Sequence, residues 1–159
     1  MSQAVVAKLK SAFAASVLEV KEHRGEVTVT VKKEDIVAIC QFLKDEAGYN
    51  FLCDLCGVDY LGQQPRFMVV YNLYNITTKE RLRVKVAVAE DDASVDTVST
   101  VWATANWPER ECWDLMGISF NNHPDLRRIL MPADWVGHPL RKDYPLQGPD
   151  REPYQGRLS

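Results

Sequence analysis

Two groups of residues have the types and spacing that could support chemistry. Cys53 and Cys56 in "FLCDLCGVDY" form C-x-x-C, a spacing shared by zinc sites and thioredoxin-like redox pairs. His123, Asp125, His138 and Asp143 in "HPDLRRILMPADWVGHPLRKDYP" are types that ligate hydrolytic metal ions. Neither group has the setting such chemistry needs. A redox pair wants its first cysteine at a helix N-terminus, where the dipole lowers the thiol pKa, but Cys53 lies in a strand-like stretch. A zinc site needs further ligands at matched spacing, and His23, His123 and His138 are isolated, with no second C-x-x-C and no H-x-H. Each of the two later histidines precedes a proline, and an extended segment lacks the short helical or strand spacing that sets two ligands on one ion. There is no G-x-S-x-G and no phosphate-cradling glycine loop. Cys40, Cys53, Cys56 and Cys112 are therefore expected to be reduced, buried thiols acting as small apolar residues, and no catalytic, cofactor-binding or metal-ligating residue is assigned.

The elements that would position these residues follow from periodicity. Val5, Leu9, Phe13 and Val17 predict a helix over roughly residues 3–18. "LEVKEHRGEVTVTV" predicts a hairpin turning at Gly25, with Val27, Val29 and Val31 on its buried face. Ile36, Ile39, Cys40 and Leu43 predict a second helix ended by Gly48. "FMVVYNLYN" and "ERLRVKVAVAE" predict an antiparallel pair of strands, the second with Leu82, Val84, Val86 and Val88 inward and Arg81, Arg83 and Lys85 outward. The acids of "DDASVDTVSTVWATANW" and its Val95, Val98, Val101, Trp102 and Ala105 predict a third helix. "PERECWDLMG" predicts a short fourth, opened by Pro108 and ended by Gly117. The expected fold is α+β: a mostly antiparallel sheet with helices on one face over residues 1–120, followed by an extended proline-rich tail over residues 121–159.

At 159 residues, with a formal charge of −3 and a pI near 5.6, the chain has the size of a single domain and no electrostatic reason to bind nucleic acid. No apolar run approaches the roughly 20 residues a membrane helix needs. The N-terminus lacks a secretory apolar stretch, and its resemblance to a transit peptide is weakened by having no arginine. A cytoplasm-like compartment is expected.

The tail holds six of the eight prolines, which block helix and remove donors. Yet Leu126, Ile129, Leu130, Met131, Trp135, Val136, Leu140, Tyr144 and Leu146 are too many apolar residues for a freely disordered chain. Ordering a backbone costs on the order of 1–2 kcal/mol per residue, so an outside surface is expected to receive this segment. Its alternating charges, Asp125, Arg127, Arg128, Asp134, Arg141, Lys142 and Asp143, suit polar pairing along a protein groove.

The run "ERECWDLMGISFNNHPDLRRILMPADWVGHPLRKDYPLQG" resembles the 30-kilodalton (C) subunit family of proton-pumping NADH:quinone oxidoreductase, respiratory complex I; "LCGVDY" resembles it more loosely. The resemblance implies a structural subunit of the hydrophilic arm that binds no cofactor itself and is not catalytic alone, within an assembly that carries FMN, iron–sulfur clusters and quinone and couples electron transfer from NADH to proton translocation. It implies docking of the tail against the D, B and I subunits, on the cytoplasmic side of a bacterial plasma or inner membrane and peripheral to it. With the chain stopping at Ser159, the D component is expected as a separate polypeptide. The docking candidates it implies are Glu109, Arg110, Glu111 and Asp114 on the short helix. In the tail they are His123, Asp125, Arg127, Arg128, Trp135, His138, Arg141, Lys142, Asp143 and Tyr144. The alternatives are the same component with a ferredoxin, F420 or hydrogenase donor module, or an independent thiol or metal enzyme.

Overall fold

A computed structural model describes residues 2–147, with side chains from residue 4 onward; the remainder of the 121–159 tail lies outside the described residues. The chain runs α1 (Ser2–Ala12), β1 (Val17–His23), β2 (Glu26–Val31), α2 (Ile36–Asp45), β3 (Phe51–Asp59), β4 (Phe67–Tyr74), β5 (Arg81–Val88), β6 (Ser94–Asp96), α3 (Asn106–Met116) and β7 (Ser119–Asn121). Five strands form one sheet in the order β1-β2-β5-β4-β3, and β6 pairs with β7 in a second. Within the large sheet only β2 and β5 run parallel. This is the expected mostly antiparallel α+β fold.

Strand alternation places Val27, Val29 and Val31, Leu82 to Val88 at every second position, and Phe67, Val69, Tyr71 and Leu73 on one buried face. The helices cover that face, α2 contributing Ile36, Ile39, Cys40 and Leu43. Each such aliphatic side chain removed from water contributes roughly 1.5–3 kcal/mol, so many independent contacts share the stability of the sheet. Gly57 of β3 lets α3 approach: a Cβ there would stand 2.8 Å from Cys112 Sγ and 2.9 Å from Met116 Sδ.

Three elements depart from the predicted pattern. The first helix stops at Ala12 rather than near residue 18, because the amides of Ser16 and Val17 turn back to the Phe13 carbonyl and Val17 then pairs with Val31. The predicted third helix does not form. Val95, Val98, Val101, Trp102 and Ala105 are all buried, but through β6, a turn and one 3-10 turn at Ala103–Ala105. The reason is competition for backbone groups: Thr97 donates its amide to the Asn121 carbonyl and Val98 donates its own to Glu109. Those bonds replace the helical ladder in a run rich in β-branched residues. Residues Ser119–Asn121, for which no element was predicted, become β7, pairing in parallel with β6.

Candidate functional site at the C-terminal strap

After β7 the chain folds back over α3 and the β3–β4 end of the sheet as a strap. Its organising group is Asp114, buried on α3. One carboxylate oxygen accepts the amides of Ile129, Leu130 and Met131 at 3.0, 2.8 and 2.9 Å, and the other accepts Arg128 Nη1 at 2.6 Å. Burial pushes this carboxyl up, but the three amides and the guanidinium outweigh it and hold its pKa below the usual range. Arg128 continues to the carbonyls of Trp135 and Gly137. From the other side Arg110 donates to the carbonyls of Arg127 and Arg128. One turn of the strap is thus held by two helix residues four positions apart.

The strap also caps the helix. An α-helix leaves its last four carbonyls without intrahelical donors, at the negative end of its dipole. Here the Trp113 carbonyl accepts the Gly117 amide, that of Asp114 accepts Arg128 and His138 Nδ1, that of Leu115 accepts the Leu140 amide, and that of Met116 accepts Arg141 Nε at 2.7 Å. The bond to a carbonyl makes His138 Nδ1 the protonated nitrogen, while burial lowers the pKa of the ring. Gly117 is required twice over. Its φ is +72°, and a Cβ would lie 2.5 Å from Arg141 Nη2 and 2.6 Å from His138 Cδ2.

A second latch closes the far end. Arg66, 2% exposed, forks onto Asp59 at 2.9 and 2.9 Å and onto Asp143 of the strap at 2.8 and 3.0 Å, and also reaches Glu90. Asp59 further accepts the Lys142 amide at 2.8 Å. Arg66 and Arg141 both stack on the Phe67 ring, 4.9 and 5.2 Å from its centroid. The guanidinium of Arg66 holds Asp59 and Asp143 below the ordinary carboxylate range.

The strap's entry is fixed by Glu109 and His123. Glu109 is fully buried, takes the Val98 amide at 2.8 Å and the Thr97 hydroxyl, and has its pKa pushed up to about 7 by burial, against the pull of those two bonds. His123 bonds through Nε2 to the Asn106 carbonyl and accepts the Asp125 amide at Nδ1, which defines a neutral ring with its proton on Nε2. The two buried side chains approach to 3.7 Å.

The predicted residues therefore divide. Glu109, beside His123, ties α3 to Thr97 and Val98, and Arg110, Asp114, His123, Arg128, His138, Arg141 and Asp143 hold the strap to its own domain. Lys142 does so through its backbone, and Tyr144 bonds the Val136 carbonyl within the strap. Trp135 is half-buried and lends its carbonyl to Arg128. Asp125 and Arg127 form an exposed pair, and Glu111 is exposed without an ion pair or side-chain hydrogen bond among the described residues. For residues 123–146, the surface that offsets the cost of ordering is thus the chain itself, where an outside one was expected. It works because buried charges, Asp114 on α3, Asp59 at the end of β3 and Arg66 just before β4, bond the strap where its prolines offer no donor.

The histidines and carboxylates considered as metal ligands belong to separate latches, and no group of three or more His, Cys, Asp or Glu among the described residues is placed to hold a metal ion. The cysteine expectation needs correction: Cys40 and Cys112 are buried, with thiol pKa values pushed up by burial, but Cys53 and Cys56 are exposed on β3. A bulge between Leu52 and Asp54 and the position of β3 at the sheet edge turn them outward. Asp59, Arg66, Glu90 and Thr97 were not foreseen; Arg66 in "QQPRF" carries no local signal.

Fold and site together define a mixed α+β domain whose C-terminal segment is strapped across its last helix. Residues 29–150 match the family model described as respiratory-chain NADH dehydrogenase, 30 Kd subunit, and the chain belongs to that family. It is 70% identical to the C subunit of the NADH-quinone oxidoreductase of Geotalea uraniireducens, over 97% of this chain and 94% of that one. It is 71% identical to the corresponding chain of Geobacter metallireducens, over 97% and 96%. Among solved structures it resembles the trypsin-resistant fragment (1-134) of Nqo5, with a TM-score of 0.69 and 32% identity over 78% of this chain and 98% of that one. A chain of an archaeal membrane-bound sulfane sulfur reductase shares the fold, with a TM-score of 0.73 and 21% identity over 91% and 86%.

Proposed function

We propose that this chain is a structural component of the hydrophilic arm of a proton-pumping NADH:quinone oxidoreductase, binding no FMN, iron–sulfur cluster or quinone itself. Its task is to present a rigid docking surface to the D, B and I subunits while the assembly passes electrons from NADH to quinone and translocates protons. The assembly then sits on the cytoplasmic side of a bacterial membrane, with this chain peripheral to the bilayer.

The observation that carries this reading is the division of labour in the strap. Three of its charged side chains, Arg128, Arg141 and Asp143, are spent inward, on Asp114, the end of α3 and Arg66, while Leu130, Val136, Leu140 and Leu146 are exposed. Exposed apolar groups spread along an irregular segment that is nonetheless fixed are the mark of an interaction surface. Family membership and the names of its relatives support which assembly uses it.

The test is limited proteolysis of the tagged chain alone and within the assembly purified through it. Trypsin should cut after Arg127, Arg128, Arg141 or Lys142 in the isolated chain more slowly than an unfolded chain allows, and at least about tenfold more slowly again in the assembly, because docking multiplies the protection. Equal cleavage in both states, or purification without any second subunit, would overturn the docking role.

A further inference from the structure

We propose that the groove between α3 and the strap turn at residues 129–130 is the seat for an apolar segment of another subunit that carries one basic side chain. This rests on the assembly reading above and names the chemistry of the partner at one place on that surface.

The groove holds about 980 Å³ and is lined on one side by Trp107, Pro108 and Glu111 and on the other by Ile129 and Leu130. Residues 107, 108 and 111 share one helical face, opposite the buried face of Glu109, Cys112 and Met116. Trp107 is 69% exposed and Leu130 is 61% exposed. Leaving an indole and two branched aliphatic side chains together in water is unfavourable by the same roughly 25 cal/mol per Å² that drives core formation. The wall is also preformed. Ile129 and Leu130 cannot fold away, because their amides are bonded to Asp114. Preorganisation of this kind removes part of the ordering cost of binding.

Charge selects among occupants. Glu111 is an exposed carboxylate beside Trp107 and Pro108, in a groove whose other polar lining residues, Thr104 and Asn106, are uncharged, and it has no ion pair among the described residues. The adjacent Arg110 is turned away to the carbonyls of Arg127 and Arg128. Among the described residues the groove's uncompensated charge is therefore negative. A lysine or arginine from the partner would lay its methylene stem along Pro108 and Trp107 and place its cation on Glu111, with cation–π attraction from the indole. A second copy of the same face would set carboxylate against carboxylate in a two-fold contact, and an anionic membrane surface or nucleic acid would be repelled. A complementary segment of another subunit is the occupant that satisfies both the apolar wall and the acid.

The experiment expresses the full chain with its native partners, purifies the assembly through a tag on this chain, and measures the recovered subunits as salt is raised. Trp107→Ala should weaken association at least about tenfold, as for a buried aromatic anchor. Glu111→Lys should weaken it comparably, and Glu111→Gln less, with loss of part of the salt dependence. Amide exchange at residues 129–131 should be unchanged in each variant, showing that the strap is intact. If both Trp107→Ala and Glu111→Lys associate within twofold of the parent while Asp114→Ala does not, the strap docks elsewhere and this seat is refuted, although the assembly reading survives. Stronger association of Glu111→Lys would mean an acidic partner and would also refute it. So would self-association of the isolated chain, seen by sedimentation and abolished by Trp107→Ala, which would make a second copy the occupant. An assembly lacking other subunits for every version, parent included, would defeat the assembly reading itself.

Discussion

The five-stranded sheet and the strap are both ordered, but by opposite means. The sheet is held by apolar side chains from at least four strands and two helices, none of which has a unique partner. The strap has few apolar contacts with the core, Leu126 being its member packed there, and depends on directional bonds to a handful of buried charged groups. Loss of one valine from the sheet leaves its neighbours to relax around the gap. Loss of Asp114 or Arg66 takes the counter-charge from Arg128 or from the buried Asp59 and leaves them only backbone partners, which is the more expensive outcome. A segment built this way can be rigid while remaining separable from the core.

The largest effect is expected from Asp114→Ala. It takes the carboxylate from Arg128, which keeps its backbone carbonyl partners, and the acceptor from three backbone amides together, and a loss of about 3–5 kcal/mol is expected for breaking a buried pair. Hydrogen exchange should show the amides of Ile129, Leu130 and Met131 opening while the amides of β4 and β5 stay protected. If the sheet opens in step with the strap, the two regions are one cooperative unit.

Next in size is Arg66→Lys. The ammonium keeps the charge but cannot fork onto Asp59 and Asp143 together, so a loss of about 1–3 kcal/mol is expected, with trypsin cleavage after Lys142 accelerated before cleavage after Arg127.

Acidity should separate the anchors. The Glu109 carboxyl is raised from 4.5 to about 7, so the folded state holds its proton more tightly than the unfolded chain does. Its contribution to stability is full below about 4.5 and is lost as the pH rises toward about 7. Asp59, Asp114 and Asp143 are shifted the other way, below 3.8. Their contribution is present above that value and lost as the pH falls through their folded values. Urea midpoints measured across this range should therefore decline on both sides of a mildly acidic optimum. Glu109→Gln should flatten only the upper limb.

The smallest effect is expected from Arg127→Ala. Its pair with Asp125 is exposed at both ends, so the unfolding midpoint should correspond to a change within about 0.5 kcal/mol. A larger loss would mean that surface charge, and not the buried residues, holds the strap.

Much of the fold was readable because its signals are local. Val27, Val29 and Val31 alternate, Ile36, Ile39, Cys40 and Leu43 recur with the helical period, and Pro108 and Gly117 bracket a helix observed as Asn106–Met116. The same apolar recurrence misled at Val95 to Ala105. Those residues are buried, as their spacing required, but the Glu109 carboxylate and the Asn121 carbonyl took the backbone donors a helix would have used. Of the site, Asp114, Arg128 and Asp143 could be singled out from the sequence, but Asp59 and Arg66 could not.

Within the sequence alone lay the alternating and helical faces, the prolines that deny the tail a helix, and its excess of apolar residues over free disorder. These depend on neighbours a few positions apart along the chain. Tertiary structure decided which surface receives the tail: Arg66 meets Asp143 across 77 positions, and Asp59 meets the Lys142 amide across 83. Such bonds exist only after the sheet has brought distant segments together, so the inward or outward sense of each strap residue was set by packing.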